Sequence, residues 1–361
     1  MAVRTGPRNA VRKQSADMFV DNQAAMIPRY KHVFVCCHGA TVTGGPEAAH
    51  QLVHLLGEMG ATAAVSYIPF GRTFNVPEAF RAYDIQASQP LDEPGNIIIV
   101  PETAAYLARK FQYASTAVWW LSVDAFFSLS GLWPGRNSIE RKVIQFVSRH
   151  RRWLLRREIN ELRGSKHFVQ SKYAAEFLKR NELPCLPLSD YVNVSFSASP
   201  LGTARRDAIA YSRKGLPTVK RLMKRYPSLT WIPIQGMSRA QVRELLSSVK
   251  LYIDFGGHPG KDRMPREAAL CGTCVITGRQ GSARFVEDVP IPEAYKLDEK
   301  VVHFEQNLHL LVREIFGNFE IHQAHFEHYR AHIRNETARF KEEIKAAFFK
   351  ADRVLGTSTE F

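Results

Sequence analysis

The chain has 361 residues, 45% hydrophobic and 23% charged, which suits a soluble globular protein and makes two domains the default. Its net charge of +14 points to acidic partners: nucleotide diphosphates, anionic lipid surfaces, nucleic acid or an acidic polymer. The polar, basic start argues against a secretory signal, no run reaches the roughly 18 apolar residues of a membrane span, and five cysteines, two of them adjacent, form no disulfide framework, so a reducing cytoplasm is expected.

Residues 1 to about 28 read as a flexible, basic arm. His32 to Cys37 is the first predicted strand, and a loop from His38 to Pro46 follows it. A helix is predicted from about Glu47 to Met59. Ala48, Leu52, Leu55, Leu56 and Met59 fall at helical spacing, and Gly60 stops the run. Ala63 to Ile68 is the second strand. Strand, glycine loop, helix and strand in that order are the mark of a doubly wound sheet. Asn96 to Val100 is a buried-type strand, and Pro101-Glu102-Thr103 opens a helix toward Tyr113. Thr116 to Val123 is a further strand, ending at Asp124. Ser138 to Leu162 is helical and strongly basic. Lys166 to Gln170 is a strand, and Lys172 to Arg180 a helix.

Pro184 to Tyr191 is a proline-punctuated crossing. It sets domains at 29–188 and 189–317, with 318–361 as a C-terminal helical segment. A second α/β series follows the crossing. Strands are predicted at Ala208–Tyr211 and Thr230–Ile234, and helices at Leu216–Tyr226 and Ser238–Val249, the latter capped by Ser238. Val249 to Phe255 is the next strand. After it comes His258-Pro259-Gly260-Lys261-Asp262-Arg263-Met264-Pro265-Arg266-Glu267, then a short helix ended by Gly272 and the strand Cys274–Thr277. A loop so rich in charge, beyond the carboxyl end of a strand, is a candidate ligand site. From about Asn318 to Val354 the pattern predicts one long helix.

Three local motifs resemble the GT-B class of glycosyltransferases, and most of all its large bacterial "group 1" family, glycosyltransferase family 4. The first is Thr43-Gly44-Gly45-Pro46-Glu47 after the first strand. The second is Ser212-Arg213-Lys214-Gly215 after the strand Ala208–Tyr211. The third is Pro265-Arg266-Glu267-Ala268-Ala269-Leu270-Cys271-Gly272. The resemblance implies an α/β fold of two doubly wound, Rossmann-like domains facing across a cleft, with the C-terminal helix bracing the first domain. It implies transfer of a sugar from a nucleotide-sugar donor to a glycan or lipid-linked glycan acceptor, such as capsule or O-antigen. Gly44 and Gly45 would offer backbone amides to the donor diphosphate, Arg213 and Lys214 would clamp it, and Glu267 would hold the ribose. The chain departs from the family pattern in two places. Arg213 and Lys214 are adjacent, where the family separates its cations. Pro259 stands eight positions before Glu267, where the family carries a second acid. His258, Lys261 or Asp262 could supply the missing polar contact, and Arg263 beside them is a further donor-binding candidate. His258-Pro259 is also similar to a motif of bacterial sialyltransferases, which leaves the nucleotide open.

On the acceptor side, Asp124 at a strand's carboxyl end is the expected base, with His38 and Glu102 similarly placed after other strands. No Asp-x-Asp occurs in the chain, so no metal or other cofactor is expected. Retention or inversion stays open. The basic amphipathic stretch over 148–163 suits an anionic membrane surface as well as a solvated face. Basic residues spread through both domains instead of gathering into a reading module, which disfavours nucleic acid. A catalytically degenerate GT-B-like protein that binds an anionic ligand or nucleic acid is the alternative. His322, His325, His328 and His332 form a helix stripe read as a polar face, and Cys271-x-x-Cys274 is read as packing.

Overall fold

The computed structural model describes residues 26–128, 159–193 and 205–350. In chain order the first lobe comprises β1 (Ile27–Pro28), β2 (Val33–His38), α1 (Gly44–Glu58), β3 (Ala63–Ile68), β4 (Ile97–Pro101), a 3₁₀ segment (Glu102–Lys110) and β5 (Ser115–Trp120). It continues with α2 (Val123–Ser128), β6 (Lys166–Val169), α3 (Lys172–Arg180) and β7 (Leu186–Pro187). The second lobe comprises β8 (Arg206–Tyr211), α4 (Leu216–Arg225), β9 (Thr230–Pro233), α5 (Arg239–Ser248), β10 (Val249–Asp254), α6 (Arg263–Leu270), β11 (Cys274–Thr277) and α7 (Phe304–Gly317). The chain then runs through α8 (Phe319–Ala324), α9 (Glu327–Arg334) and α10 (Glu336–Phe348) to β12 (Phe349–Lys350).

The first sheet has the order β3-β2-β4-β5-β6-β7, and all its pairs are parallel. Both faces are covered, so its strands are apolar runs whose alternate residues enter different cores. Val33, Val35, Ile97, Ile99 and Trp119 pack with Leu52, Leu55 and Leu56 of α1. Phe34, Ile98, Val100, Val118 and Trp120 pack on the opposite face with Ala105 and Leu107 of the 3₁₀ segment. The two buried indoles find separate partners, Leu188 O for Trp119 at 2.8 Å and His167 Nδ1 for Trp120 at 3.1 Å. The second sheet has the order β11-β10-β8-β9, again parallel, around its own core.

Strand order reverses between β2 and β4 in one sheet and between β8 and β10 in the other. Ligands of open parallel sheets bind beyond the strands' carboxyl ends at such reversals. The fold therefore nominates the loops after these four strands.

The single long C-terminal helix expected from the sequence is broken into α8, α9 and α10. The breaks let one stretch serve two cores. Phe326, Tyr329 and Ile333 pack in the second lobe, while Phe340, Ile344, Ala347 and Phe348 pack against the first sheet. Where the chain crosses, Arg266 of α6 is fully buried. It holds Asp190 through two 2.9 Å bonds and Glu336 through a third of 2.9 Å. The two crossings, near residues 190 and 336, are thus tied to one guanidinium. Among the described residues no helix is long and apolar enough to cross a membrane. The expected arm at 1–25 and most of the basic stretch at 148–163 lie outside the described residues.

Candidate active site

The loops after β2, β4 and β5 face the loops after β8 and β10 across a cleft of about 730 Å³, a volume usual for a small-molecule site. His38, Thr43, Gly44, Gly45, Glu102, Thr103, Ser122, Lys214, Asp262 and Arg263 all line it.

Helix α1 begins at Gly44, three residues earlier than the pattern of apolar residues suggests. Thr43 makes no side-chain cap bond, and the first amides of a helix have no carbonyl of their own to bond. The N–H groups of Gly44 and Gly45 thus open the helix at the cleft wall, where the helix dipole favours an anion. Arg263, which opens α6, lays its side chain over Gly44.

Glu47, in the first turn of α1, is almost completely buried. Tyr83 donates to its Oε1 at 2.8 Å, and Arg239 and Arg263 of the second lobe both pair with its Oε2. Burial pushes this carboxyl up, but the two guanidinium groups outweigh burial and hold it below its ordinary range. The lobes are therefore joined by an ion cluster that adjoins the cleft through Arg263.

On the other wall, Lys214 Nζ lies 2.5 Å from Asp262 Oδ1. Behind that pair runs a buried chain. Asp262 Oδ2 lies 3.1 Å from His258 Nδ1, His258 Nε2 lies 3.7 Å from Asp254 Oδ1, and Tyr252 donates to Asp254 Oδ2 at 2.8 Å. Burial works against a charged His258, yet its two carboxylate neighbours outweigh burial and raise it above its usual value. Burial raises Asp262, while His258 and Lys214 outweigh burial and lower it. Asp254, His258 and Asp262 offer ligand atoms within 4.8 Å of one another. The imidazole turns opposite nitrogens to the two carboxylates, so the three form a chain and do not converge on a point.

Glu102 directly follows β4 at the strand-order reversal and opens the 3₁₀ segment. It is only 3% exposed, yet it contributes to the cleft wall. Its Oε2 accepts the Leu121 N–H at 3.0 Å. Beside it, His38 Nε2 lies 2.9 Å from Thr103 Oγ1, and burial lowers the imidazole below its usual value.

Several residues singled out from the sequence sit elsewhere. Asp124 is not at the end of a strand but inside α2. Its carboxylate accepts from Tyr173 Oη at 2.9 Å and is not part of the cleft wall. Arg213 is exposed and does not line the cleft, whereas its neighbour Lys214 does. His258 is sealed from solvent, behind the wall residue Asp262, with its Nδ1 3.1 Å from Asp262 Oδ2. Lys261 reaches the wall, but its ammonium is committed to Glu336 at 2.7 Å. Glu267 lies behind Arg263, 3.7 Å from its Nε, and is not a wall residue. Pro259, in place of the family's second acid, uses its carbonyl to accept the Val123 N–H at 2.9 Å, which docks the loop on the first lobe. Sequence reasoning missed Glu47 and Arg239. The first, Glu47, closes the Thr43–Glu47 motif, in which the resemblance assigns a role only to the glycines. The second is masked by the capping box of Ser238 and Gln241, which explains the start of α5 without it.

The four histidines read as a polar helix face are half-buried or exposed, spread over α8, α9 and the turn between them. His322 and His325 share Tyr295 Oη at 2.8 and 2.7 Å, while His332 meets Arg339. Cys271 and Cys274 are buried free thiols, pushed by burial to about 11 and about 12, which agrees with packing.

No protein-family model and no curated protein sequence matches the chain. Solved structures do match. Anabaena HepE in complex with UDP is similar at a TM-score of 0.55 with 12% identity, covering 88% of this chain and 98% of that one. The catalytic domain of Arabidopsis thaliana starch synthase IV, bound to ADP and acarbose, is similar at 0.52 with 9% identity, covering 88% and 99%. WaaG, a glycosyltransferase involved in lipopolysaccharide biosynthesis, is similar at 0.52 with 12% identity, covering 87% and 98%. At such identities the likeness is one of fold: two Rossmann-like lobes in the GT-B arrangement.

Proposed function

We propose that the protein is a glycosyltransferase that moves a sugar from a nucleotide diphosphate donor to an acceptor hydroxyl. The observation that carries this reading is the meeting of Lys214, Arg263 and the amides of Gly44 and Gly45 at the reversal points of two facing sheets. Cleavage of the glycosyl–phosphate bond builds charge on the leaving diphosphate. Fixed cations and helix amides stabilise that charge most in the transition state. They do there the work that a bridging metal does elsewhere, so the reaction is expected to proceed without one. Neighbours of this fold in complex with UDP or ADP support a nucleotide in the cleft.

The acceptor in this reading is a growing, lipid-linked surface polysaccharide such as capsule or O-antigen. The basic stretch at 148–163 would bring the enzyme to the inner face of the membrane.

The test is a thermal-shift panel of UDP-, GDP-, dTDP-, CMP- and ADP-sugars. A ligand that binds only the folded state raises the melting temperature by mass action. One nucleotide class is expected to shift the wild type. Lys214→Ala should weaken that ligand roughly ten-fold or more, the usual worth of a charge-assisted contact. Binding without slow hydrolysis of the donor would favour the degenerate, binding-only alternative. No shift with any donor would overturn both.

A further inference from the structure

Resting on the reading above, we propose that Glu102 is the catalytic base that takes the proton from the attacking acceptor hydroxyl. In that step the acceptor O–H proton passes to the Glu102 carboxylate. The acceptor oxygen forms a bond to the sugar's anomeric carbon, and the bond from that carbon to the phosphate oxygen breaks. Its electron pair leaves with the nucleotide diphosphate. Direct attack of this kind inverts the anomeric centre.

The geometry singles out Glu102 among the acids of the first lobe. Asp124 is turned toward Tyr173 and off the cleft wall. Glu47 is consumed by two arginines. Glu102 stands at the strand-order reversal and on the cleft wall, and its cause of perturbation includes no charged neighbour. Its Oε2 accepts the Leu121 N–H at 3.0 Å, and the backbone amides of Leu121, Ser122 and Glu102 itself favour its charged form. That bond fixes one oxygen and leaves the carboxylate lone pairs free to take an acceptor proton. From β2 come His38 and the buried thiols of Cys36 and Cys37, β5 offers no titratable side chain, α2 offers Asp124, and its own segment offers Tyr106, Arg109 and Lys110; across the cleft stand Asp190, Lys214, Lys261, Asp262 and Arg263. Burial, opposed by the three amides, leaves the carboxyl at about 7, where a base is both ionised and basic enough to work at neutral pH.

The experiment uses the donor identified by the panel, with water as the acceptor, and follows nucleotide release. Glu102→Gln should lower kcat for hydrolysis by about 10²–10⁴, with the nucleotide Kd within two-fold of wild type. The wild-type kcat/KM should fall on the acid side of an inflection near 7, and that limb should be missing from Glu102→Gln. Glu102→Asp should recover part of kcat. Early-time NMR of the released sugar should show the anomer opposite to the donor's. If Glu102→Gln keeps wild-type kcat, or if the released sugar retains its configuration, Glu102 is not the base, and the transferase reading stands. If the wild type neither binds nor hydrolyses any donor, that reading fails and the base assignment falls with it. A loss of kcat that tracks loss of nucleotide binding or of folding in both variants would assign Glu102 a structural role instead.

Discussion

At the scale of single residues, two carboxyls are held against the preference of water. Burial leaves Glu102 at about 7, against 4.5 ordinarily, and Asp288 at about 6, against 3.8. Asp288 accepts the N–H groups of Lys172 and Tyr173 at 2.7 and 3.0 Å, capping α3 from the other lobe. Because each pKa is raised on folding, the folded protein binds more protons than the unfolded chain between the two values. Stability therefore falls as pH rises through about 4 to 7. Glu47, Asp190 and Asp262 act in the opposite sense, since their arginine, lysine or histidine partners outweigh burial and depress them. Their contribution is present above the ordinary carboxylate range and is lost as pH falls through their folded values. Replacing Glu102 with Gln removes one source of the neutral-side loss. Its melting temperature relative to wild type should climb from pH 4.5 to 7 and then level off, as read from thermal melts across that range. A site acid whose removal stabilises the fold is the usual trade between activity and stability.

At the scale of elements, the loop from Phe255 to Asp262 is the part that most distinguishes this cleft. Gly215, at φ 70°, turns back so closely that a Cβ there would strike the Phe255 carbonyl carbon, which brings Lys214 to the mouth of that loop. At its far end a Cβ on Gly260 would strike the Leu121 carbonyl oxygen, beside the Val123–Pro259 hydrogen bond. Two backbones meet there with no side chain between them. Gly260→Ala must part the lobes or move the loop. It should lower stability by about 1–3 kcal/mol, seen as a lower denaturant midpoint, and weaken nucleotide binding in the same titration used for Lys214→Ala. The 3₁₀ segment is a second local departure. The sequence suggests a helix after Pro101, but Ala104 leaves helical dihedrals at φ −133° and ψ 28°. The short, kinked segment leaves Glu102 at the end of its strand and not inside a regular helix.

At the scale of the whole molecule, the lobes are held by the chain's two crossings and by α10. Arg266 is the shared counter-charge for Asp190 and Glu336, and Lys261 also reaches Glu336. Such buried networks stabilise little over an apolar substitute but are costly to break, so they define the arrangement of the parts more than its strength. The apolar contribution comes from α10, where Phe340 is fully buried with Trp119 stacked 6.5 Å away. Phe340→Ala should cost about 3–5 kcal/mol, measured by denaturant unfolding. It should loosen the first lobe with little direct effect on Lys214 or Arg263, which belong to the second.

The sequence by itself determined the fold. Alternating apolar strands, a glycine turn before an amphipathic helix and the recurrence of that unit on both sides of a proline crossing are local signals, and local periodicity survives folding unchanged. It also drew attention to the charged loop at 258–267. Only the tertiary structure decided which of those charges are available. Glu47 lies 192 positions from Arg239 and 216 from Arg263, and Arg266 lies 76 from Asp190. Partners so far apart leave no mark in spacing or composition. They meet because two sheets place their reversal points face to face, and the desolvation that follows sets which groups are consumed in pairs and which, like Glu102, are raised by burial with no charged group among the causes.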